Sequence, residues 1–219
     1  LHANDAAASD QFGVSVSLYS DTALIGALLD DDNGKSSSGS VYVFTRSSTD
    51  GGTFTQQAKL HANDAAVEDY FGASVSLYGN TALIGASGDD DNGRSKSGSM
   101  YVFTRSSSDG MFTQQSKLHA NDPAADDWFG ICGSLFGDTA LIGAAADDDN
   151  SKSGSGSVYV FTRSSIDGTF TQQSKLHASD AAVSDYFGWS VSLYGDTALI
   201  GANGDDDNGK SESGSVYVF

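Results

Sequence analysis

Runs of three consecutive aspartates are the residues of this sequence best suited to chemistry. Each run is followed by an asparagine and then by a short polar stretch. Adjacent carboxylates repel one another, and a hard cation that prefers oxygen ligands would relieve that repulsion. The runs therefore predict Ca²⁺ binding, with a solvated acidic surface as the alternative. The twelve candidate ligands are Asp30, Asp31, Asp32, Asp89, Asp90, Asp91, Asp147, Asp148, Asp149, Asp205, Asp206 and Asp207.

The fit to a known calcium loop is poor. With Gly93 at the invariant glycine of an EF-hand loop, Gly88 takes the first ligand position, where an aspartate is required. Four aspartates elsewhere are expected to come near the runs and to assist them. They are Asp10, Asp69, Asp127 and Asp185.

No other set of residues suggests a catalytic site. Histidine recurs in one slot, at His2, His61, His119 and His177, and this regularity indicates a structural role. The single cysteine, Cys132, replaces a serine of the pattern and is expected to be a buried small residue. No Ser-His-Asp or paired-carboxylate arrangement stands apart from the repeat. The sequence therefore predicts a protein that is not an enzyme.

The elements that position these residues come from an internal repeat. The string LHANDAA, or a close variant, begins at residues 1, 60, 118 and 176, at spacings of 59, 58 and 58. The repeat therefore predicts one domain, which consists of units 1–59, 60–117, 118–175 and 176–219. The fourth unit stops after about three quarters of the pattern. We therefore expect a piece of a larger ring, or an array that a neighbouring copy completes.

Each unit contains four strand patterns, which we label A to D. In the first unit they are expected near 12–20, 22–27, 39–46 and 53–62, and a two-residue turn joins A to B. Four antiparallel strands per repeat predict an all-β fold, a β-propeller built of four-stranded blades. In each unit a Phe-Gly pair opens strand A, with the Phe expected in the core and the Gly where backbones approach closely. The aromatic residues just before it, Tyr70, Trp128 and Tyr186, are expected to pack between blades or to stack on a sugar.

Composition limits the partners. The chain has 219 residues and a formal net charge of −18, which disfavours nucleic acid and anionic lipid. No apolar window is long enough to insert into a membrane. Alternate connections of an antiparallel sheet lie on opposite sides. The B–C loops and the D–A connections should therefore share one face and carry nearly all of the net charge.

The Phe-Gly pairs, the TALIGA strands and the GSVYVF strands together resemble the FG-GAP repeat. That family builds the propeller head of integrin α subunits and of many surface proteins, so the resemblance implies an extracellular location and adhesion or ligand binding, often with Ca²⁺. The integrin calcium loop lies between strands A and B, where this chain has only a tight turn, such as Gly79-Asn80. The integrin sites therefore cannot be carried over.

Three functions follow as hypotheses. The first is an extracellular binding or adhesion module that recognises a protein or a glycan. The second is a structural subunit of a surface layer or filament, in which further copies of the chain are the partner. The third is the accessory propeller of a larger enzyme.

Overall fold

The computed structural model describes residues 1–47, 51–207 and 209–219. Its sheets are antiparallel and follow the repeat. Blade 1 contains β1 (Val16–Tyr19), β2 (Thr22–Ala27), β3 (Ser40–Arg46) and β4 (Phe54–Leu60). Blade 2 contains β5 (Phe71–Tyr78), β6 (Thr81–Ala86), β7 (Ser99–Arg105) and β8 (Phe112–Leu118). Blade 3 contains β9 (Phe129–Phe136), β10 (Thr139–Ala144), β11 (Ser157–Arg163) and β12 (Phe170–Leu176), and blade 4 contains β13 (Phe187–Tyr194), β14 (Thr197–Ala202) and β15 (Ser215–Val218).

Strand order within each sheet equals chain order, as successive hairpins require. The first strand of each blade packs against the first strand of the next, so these strands line the inside of the array. Gly79, in the turn between β5 and β6, has a φ of 60°, which lets a two-residue turn join those strands. The all-β propeller architecture predicted from the repeat is confirmed. The predicted C–D turn of the first unit, at 48–50, lies outside the described residues.

Three core clusters of the described residues lie between adjacent blades, and a fourth lies within blade 1. Between blades 1 and 2, Leu24 and Val41 of blade 1 pack against Phe71 and Ile84 of blade 2. The Phe71 ring meets the ring of Tyr101 edge-on, at a centroid distance of 5.5 Å. Equivalent clusters join blades 2 and 3 and blades 3 and 4. Each sheet is therefore stabilised by its neighbours, which explains why its strands carry apolar residues on both faces.

Backbones of adjacent blades meet at glycine. The Ser15 hydroxyl donates to the carbonyl oxygen of Gly72, 2.7 Å away in the next blade. A Cβ added at Gly26 would overlap that same oxygen. The serine of strand A and the glycine of strand B therefore form a contact that admits no side chain on the glycine.

The first strand is shorter than predicted. The pattern suggested residues 12–20, but β1 spans four residues, whereas β5, with almost the same sequence, spans eight. The start of β5 is held by the preceding blade, because the Phe71 N–H donates to the carbonyl oxygen of Ser38 at 3.0 Å. Blade 1 has no preceding blade in the described chain, so residues 12–15 lack that support.

Candidate binding face

The B–C loops and D–A connections form one continuous loop face. Glu68 donates its N–H to the Ser36 carbonyl oxygen at 2.9 Å, so the B–C loop of blade 1 lies along the connection into blade 2. The Lys35 ammonium donates to the carbonyl oxygen of Ala65 at 2.5 Å. The loop face thus brings the aspartate runs beside the D–A connections, as their positions in the repeat predicted.

The first aspartate of each run in blades 1 to 3 is buried. Asp89 accepts a hydrogen bond of 2.6 Å from the Ser99 hydroxyl and lies 2.8 Å from the Lys117 ammonium. Asp30 and Asp147 make the same two contacts with Ser40 and Lys59 and with Ser157 and Lys175. A buried carboxylate must be paired, and here a lysine of the outer strand provides the pairing.

That lysine is the centre of what we call the lysine cluster, formed in blade 2 by Lys117, Asp64, Asp89, Asp91 and Tyr101. The Lys117 ammonium lies 2.9 Å from Asp64, 3.8 Å from Asp91 and 5.4 Å from the centre of the Tyr101 ring. The Tyr101 hydroxyl donates to Asp64 at 2.9 Å. The ammonium therefore occupies the position among the carboxylates that a bound cation was expected to take.

In blade 3 the pKa values of the lysine and of an aspartate in the equivalent cluster show that both groups are charged. Burial alone would lower the pKa of Lys175, but hydrogen bonds to Asp122 and Asp147 outweigh it and raise the pKa to about 12. Burial would raise the pKa of Asp122, yet the hydrogen bonds from Lys175 and Tyr159 hold it below its ordinary value. Both partners therefore stay charged at neutral pH, and the cluster is an ion pair.

The middle aspartate of each run faces solvent and shapes the loop. Asp90 accepts a 2.8 Å hydrogen bond from the N–H of Lys96, a residue with a φ of 49°. Asp31, Asp148 and Asp206 accept equivalent bonds from Ser37, Gly154 and Glu212. The three carboxylates of a run thus have three different environments. Within the described residues, no group of three or more His, Cys, Asp or Glu is arranged to hold a metal ion.

In blade 4 the described residues form three strands, β13 to β15, and the aspartate run lies beside a tyrosine. There Tyr217 donates to Asp180 at 2.8 Å, as Tyr101 does to Asp64 in blade 2. Asp205, the counterpart of Asp89, is only partly buried. Within the described residues no lysine lies against Asp205 as Lys117 lies against Asp89, and calcium binding at this run stays a prediction.

The four aspartates expected to assist the runs have a structural role. Asp69 is buried and accepts a 2.5 Å hydrogen bond from the N–H of Ala66, within the D–A connection. Asp10, Asp127 and Asp185 repeat this bond with Ala7, Ala124 and Ala182. Burial raises the pKa of Asp69 and of Asp127 to about 6.

These raised pKa values predict that the protein is more stable at mildly acidic pH than at neutral pH. An aspartate whose folded pKa exceeds its unfolded value binds more protons when folded, so stability falls as pH rises from about 4 to about 6. We expect a loss of about 1 to 2 kcal/mol for each of the two aspartates, after allowance for solvent screening. Below about pH 4, the lowered pKa values of Asp64 and Asp122 reverse the trend.

Urea unfolding between pH 3 and pH 8 measures this profile. The matched variant D69N/D127N keeps the oxygen that accepts the alanine N–H, and its stability should change less between pH 4 and pH 6. A wild-type stability that rises steadily from pH 4 to pH 7 would contradict the prediction.

The repeated histidines and the aromatic residues that precede each Phe-Gly pair lie close to the aspartate runs. His119 Nδ1 is 3.8 Å from Asp91, and the side chain is about half exposed. The Tyr70 ring covers Gly88, where an added Cβ would meet the ring. Tyr70 and Trp128 also border a shallow cavity of about 200 Å³ between adjacent blades. The Tyr186 ring lies against Gly154 of the preceding blade, which is the predicted packing between blades, and the cavity leaves the sugar-stacking alternative in place.

Cys132 takes the place of the serine that joins adjacent blades. Its thiol donates to the carbonyl oxygen of Gly188 at 3.0 Å, as Ser74 does to Gly130. Burial raises the pKa of the Cys132 thiol to about 12, so the thiolate is essentially absent at neutral pH.

We therefore predict that Cys132→Ser is tolerated, with a change in stability within about 1 kcal/mol, because the hydroxyl makes the stronger hydrogen bond. The native thiol should react with Ellman's reagent far more slowly than it does in denaturant. Rapid labelling of the folded protein, or a large loss of stability in the serine variant, would show that the thiol is not held between the blades.

Sequence reasoning missed a row of aromatic rings across the inner strands. Tyr19, Tyr78, Phe136 and Tyr194 come from four different blades. Their neighbouring ring centres are 5.3, 5.0 and 4.9 Å apart. The shared slot of these residues in strand A was visible in the repeat, but their contact depends on how closely the blades stack.

The comparisons with known proteins agree with this geometry. The family profile described as the FG-GAP repeat matches residues 1–44, 54–103, 112–161 and 170–219. The chain belongs to the FG-GAP repeat family. No curated protein matches it.

Among solved structures, this FG-GAP chain is similar to Sqt1 of Saccharomyces cerevisiae. The TM-score is 0.50 and the sequence identity is 11%, so the likeness concerns the fold alone. The match covers 90% of this chain and 44% of the Sqt1 chain, so this chain spans less than half of that structure. Within the described residues, no helix has the length and apolar character needed to cross a membrane.

Proposed function

We propose that this FG-GAP chain is an extracellular, non-catalytic binding module whose loop face recognises a positively charged region of a protein ligand. The observation that carries the proposal is the row of exposed carboxylates on that face. All four middle aspartates face solvent, and in blades 1 to 3 the first aspartate of the same run is paired with a lysine. The exposed members on adjacent blades are Asp31, Glu68, Asp90, Asp126, Asp148 and Asp206.

The exposed row favours fast, salt-sensitive recognition. Charges lined up on one face steer an oppositely charged partner towards it, and salt weakens that attraction. FG-GAP repeats are typical of extracellular proteins, which supports the location. A non-catalytic role is supported by the tight pairing of the buried acids, whose charge is already satisfied by lysine and backbone N–H groups.

An array of extracellular proteins and glycans tests the proposal. Hits are compared for wild type, for D31N/D90N/D148N on the loop face, and for D21N/D109N/D196N on the opposite face. Both triple variants change the net charge equally. We expect the loop-face variant to lose affinity about tenfold or more, with the control unchanged. Equal binding by all three proteins, or glycan binding insensitive to salt, would contradict a charged protein-binding face.

Calcium binding is proposed for the run at Asp205–Asp207, with Asp180 beside it. If Ca²⁺ binds only the folded state, it must raise the thermal midpoint by mass action. Melts with millimolar Ca²⁺ and with chelator measure this, and D205N/D206N is the variant that should remove the shift. An identical midpoint with Ca²⁺ and with chelator would reject calcium and leave a solvated acidic face.

A further inference from the structure

A small cavity opens on the loop face between blades 2 and 3. It has a volume of about 200 Å³, and carbon atoms make up most of its lining. The lining residues come from two successive D–A connections, the B–C loop between them and strand β9, and they are Tyr70, Ser87, Gly88, Lys96, Trp128 and Ile131. A pocket for a whole small molecule usually has about 300 to 1,000 Å³, so this cavity fits a single group of a larger ligand.

The two aromatic residues of the cavity have a backbone conformation that side chains of their size rarely adopt. Tyr70 has a φ of 58° and Trp128 a φ of 59°, in the left-handed region that glycine occupies without strain. The fold enforces this conformation at Trp128, whose N–H donates to the Lys96 carbonyl oxygen at 3.1 Å. Strain that borders a cavity indicates a functional role for the side chains concerned. Both aromatic side chains are half-buried, so a ligand can reach them.

Three exposed carboxylates lie around the cavity. Glu68 adjoins Gly88, since a Cβ on that glycine would overlap the Glu68 carbonyl oxygen. Asp90 accepts a 2.8 Å hydrogen bond from the Lys96 N–H. Asp126 donates its own N–H, at 2.8 Å, to the carbonyl oxygen of the residue before Lys96. Three negative charges thus surround a cavity whose lining carries one positive charge, and this balance favours a positively charged ligand group.

The chemistry of the lining determines which positively charged group fits. An ammonium group has three N–H donors, and a cavity lined by carbon offers them too few acceptors. A quaternary ammonium group has no N–H donor, and its charge is attracted to the faces of aromatic rings. A sugar ring would leave hydroxyl groups without partners there, and an uncharged apolar group would gain nothing from the carboxylates.

We propose that this cavity binds the trimethylammonium group of a trimethylated lysine in the basic ligand of the loop face. The inference rests on the proposed function, because it names a group that the loop face would recognise at one position. A trimethylated lysine fits better than the headgroup of a choline lipid, whose phosphate would lie among the exposed carboxylates. The other basic side chains of the ligand would contact the carboxylates of neighbouring blades.

Calorimetric titration of three peptides tests the inference. Each peptide is rich in lysine, and its central residue is a trimethylated lysine, an unmodified lysine, or a neutral analogue in which carbon replaces the quaternary nitrogen. We expect the trimethylated peptide to bind about tenfold more tightly than either of the others. Equal affinity for the trimethylated and the neutral peptide would overturn the inference. Tighter binding of phosphocholine than of the trimethylated peptide would overturn it as well.

Variants separate the cavity from the rest of the loop face. Trp128→Leu should abolish the preference for the trimethylated peptide. The matched control is Tyr186→Leu, which removes the aromatic residue of the same slot one blade later and should keep the preference. Lys96→Met should strengthen binding of the trimethylated peptide about twofold, since it removes the positive charge from the lining. Weaker binding by Lys96→Met would show that the cavity prefers an anion, and an unchanged preference in Trp128→Leu would place the site elsewhere.

The double variant E68Q/D126N tests the charge without altering the core, because both side chains are exposed. It should weaken binding of the trimethylated peptide about threefold more than binding of the neutral peptide. Equal, salt-sensitive binding of all three peptides by wild type would overturn this inference and leave the proposed function standing. If wild type bound none of the peptides, both would be contradicted.

Discussion

Replacement of Lys117 by methionine is expected to lower the free energy of unfolding by about 3 kcal/mol. The substitution leaves Asp89 buried without its 2.8 Å partner and places three carboxylates near one another. Removing one member of a buried ion pair costs far more than the pair contributes, because the remaining charge stays desolvated. Methionine keeps an unbranched side chain of similar length and removes the charge.

Urea unfolding at pH 7 measures the effect, and Lys210→Met is the matched control. Lys210 is exposed in a B–C loop, so the same change in charge should alter stability by about 0.5 kcal/mol or less. The double variant K117M/D89N should recover part of the loss, because the buried charge is gone. If K117M were no more destabilising than K210M, the lysine clusters would be surface ion pairs that contribute little to the free energy of unfolding.

Replacement of Gly85 by alanine is the second large effect, about 3 kcal/mol or more. A Cβ at Gly85 would overlap the carbonyl oxygen of Gly130 in the next blade, and backbone cannot move aside as a side chain can. Blades 2 and 3 would have to move apart along their shared core. Overpacking that shifts backbone in this way is more destabilising than most core substitutions.

Gly201→Ala is the matched control, since it makes the same change at the same slot of blade 4. Without a following blade, its Cβ displaces only the exposed Ser190 hydroxyl, and the cost should be within about 1 kcal/mol. Both variants are compared with wild type by thermal melts at one protein concentration. Equal losses for the two would show that the glycine serves its own strand and not the contact between blades.

Most of the fold could be predicted from the sequence because the pattern of each strand recurs from one repeat unit to the next. TALIGA is strand B in every blade, and the turn at Gly79-Asn80 admits only a tight hairpin. The exception is the first strand. Phe12 to Ser15 have the sequence of a strand, but the backbone partner that extends β5 is a residue of the preceding blade, and no pattern within the unit reveals that dependence.

The binding face was only partly predictable. The position of the aspartate runs on one face follows from hairpin topology. That Asp89 turns inward to Lys117, twenty-eight residues later, depends on strand C lying between strand B and strand D, which brings the lysine over Tyr101. The aromatic row was invisible for a related reason, since Tyr78 and Phe136 belong to different sheets and meet only when blades stack.

The three interfaces between blades are alike, and this likeness affects how such a protein can gain further blades. A unit that duplicates arrives with both halves of the contact already made, because its Phe-Gly pair fits the glycines of the unit before it and its own glycines accept the unit after it. An added blade thus needs no compensating mutation to be accommodated. Near-copies such as 60–117 and 118–175 are what this kind of growth by duplication would leave, and the number of blades is free to change while the chemistry of each junction stays the same.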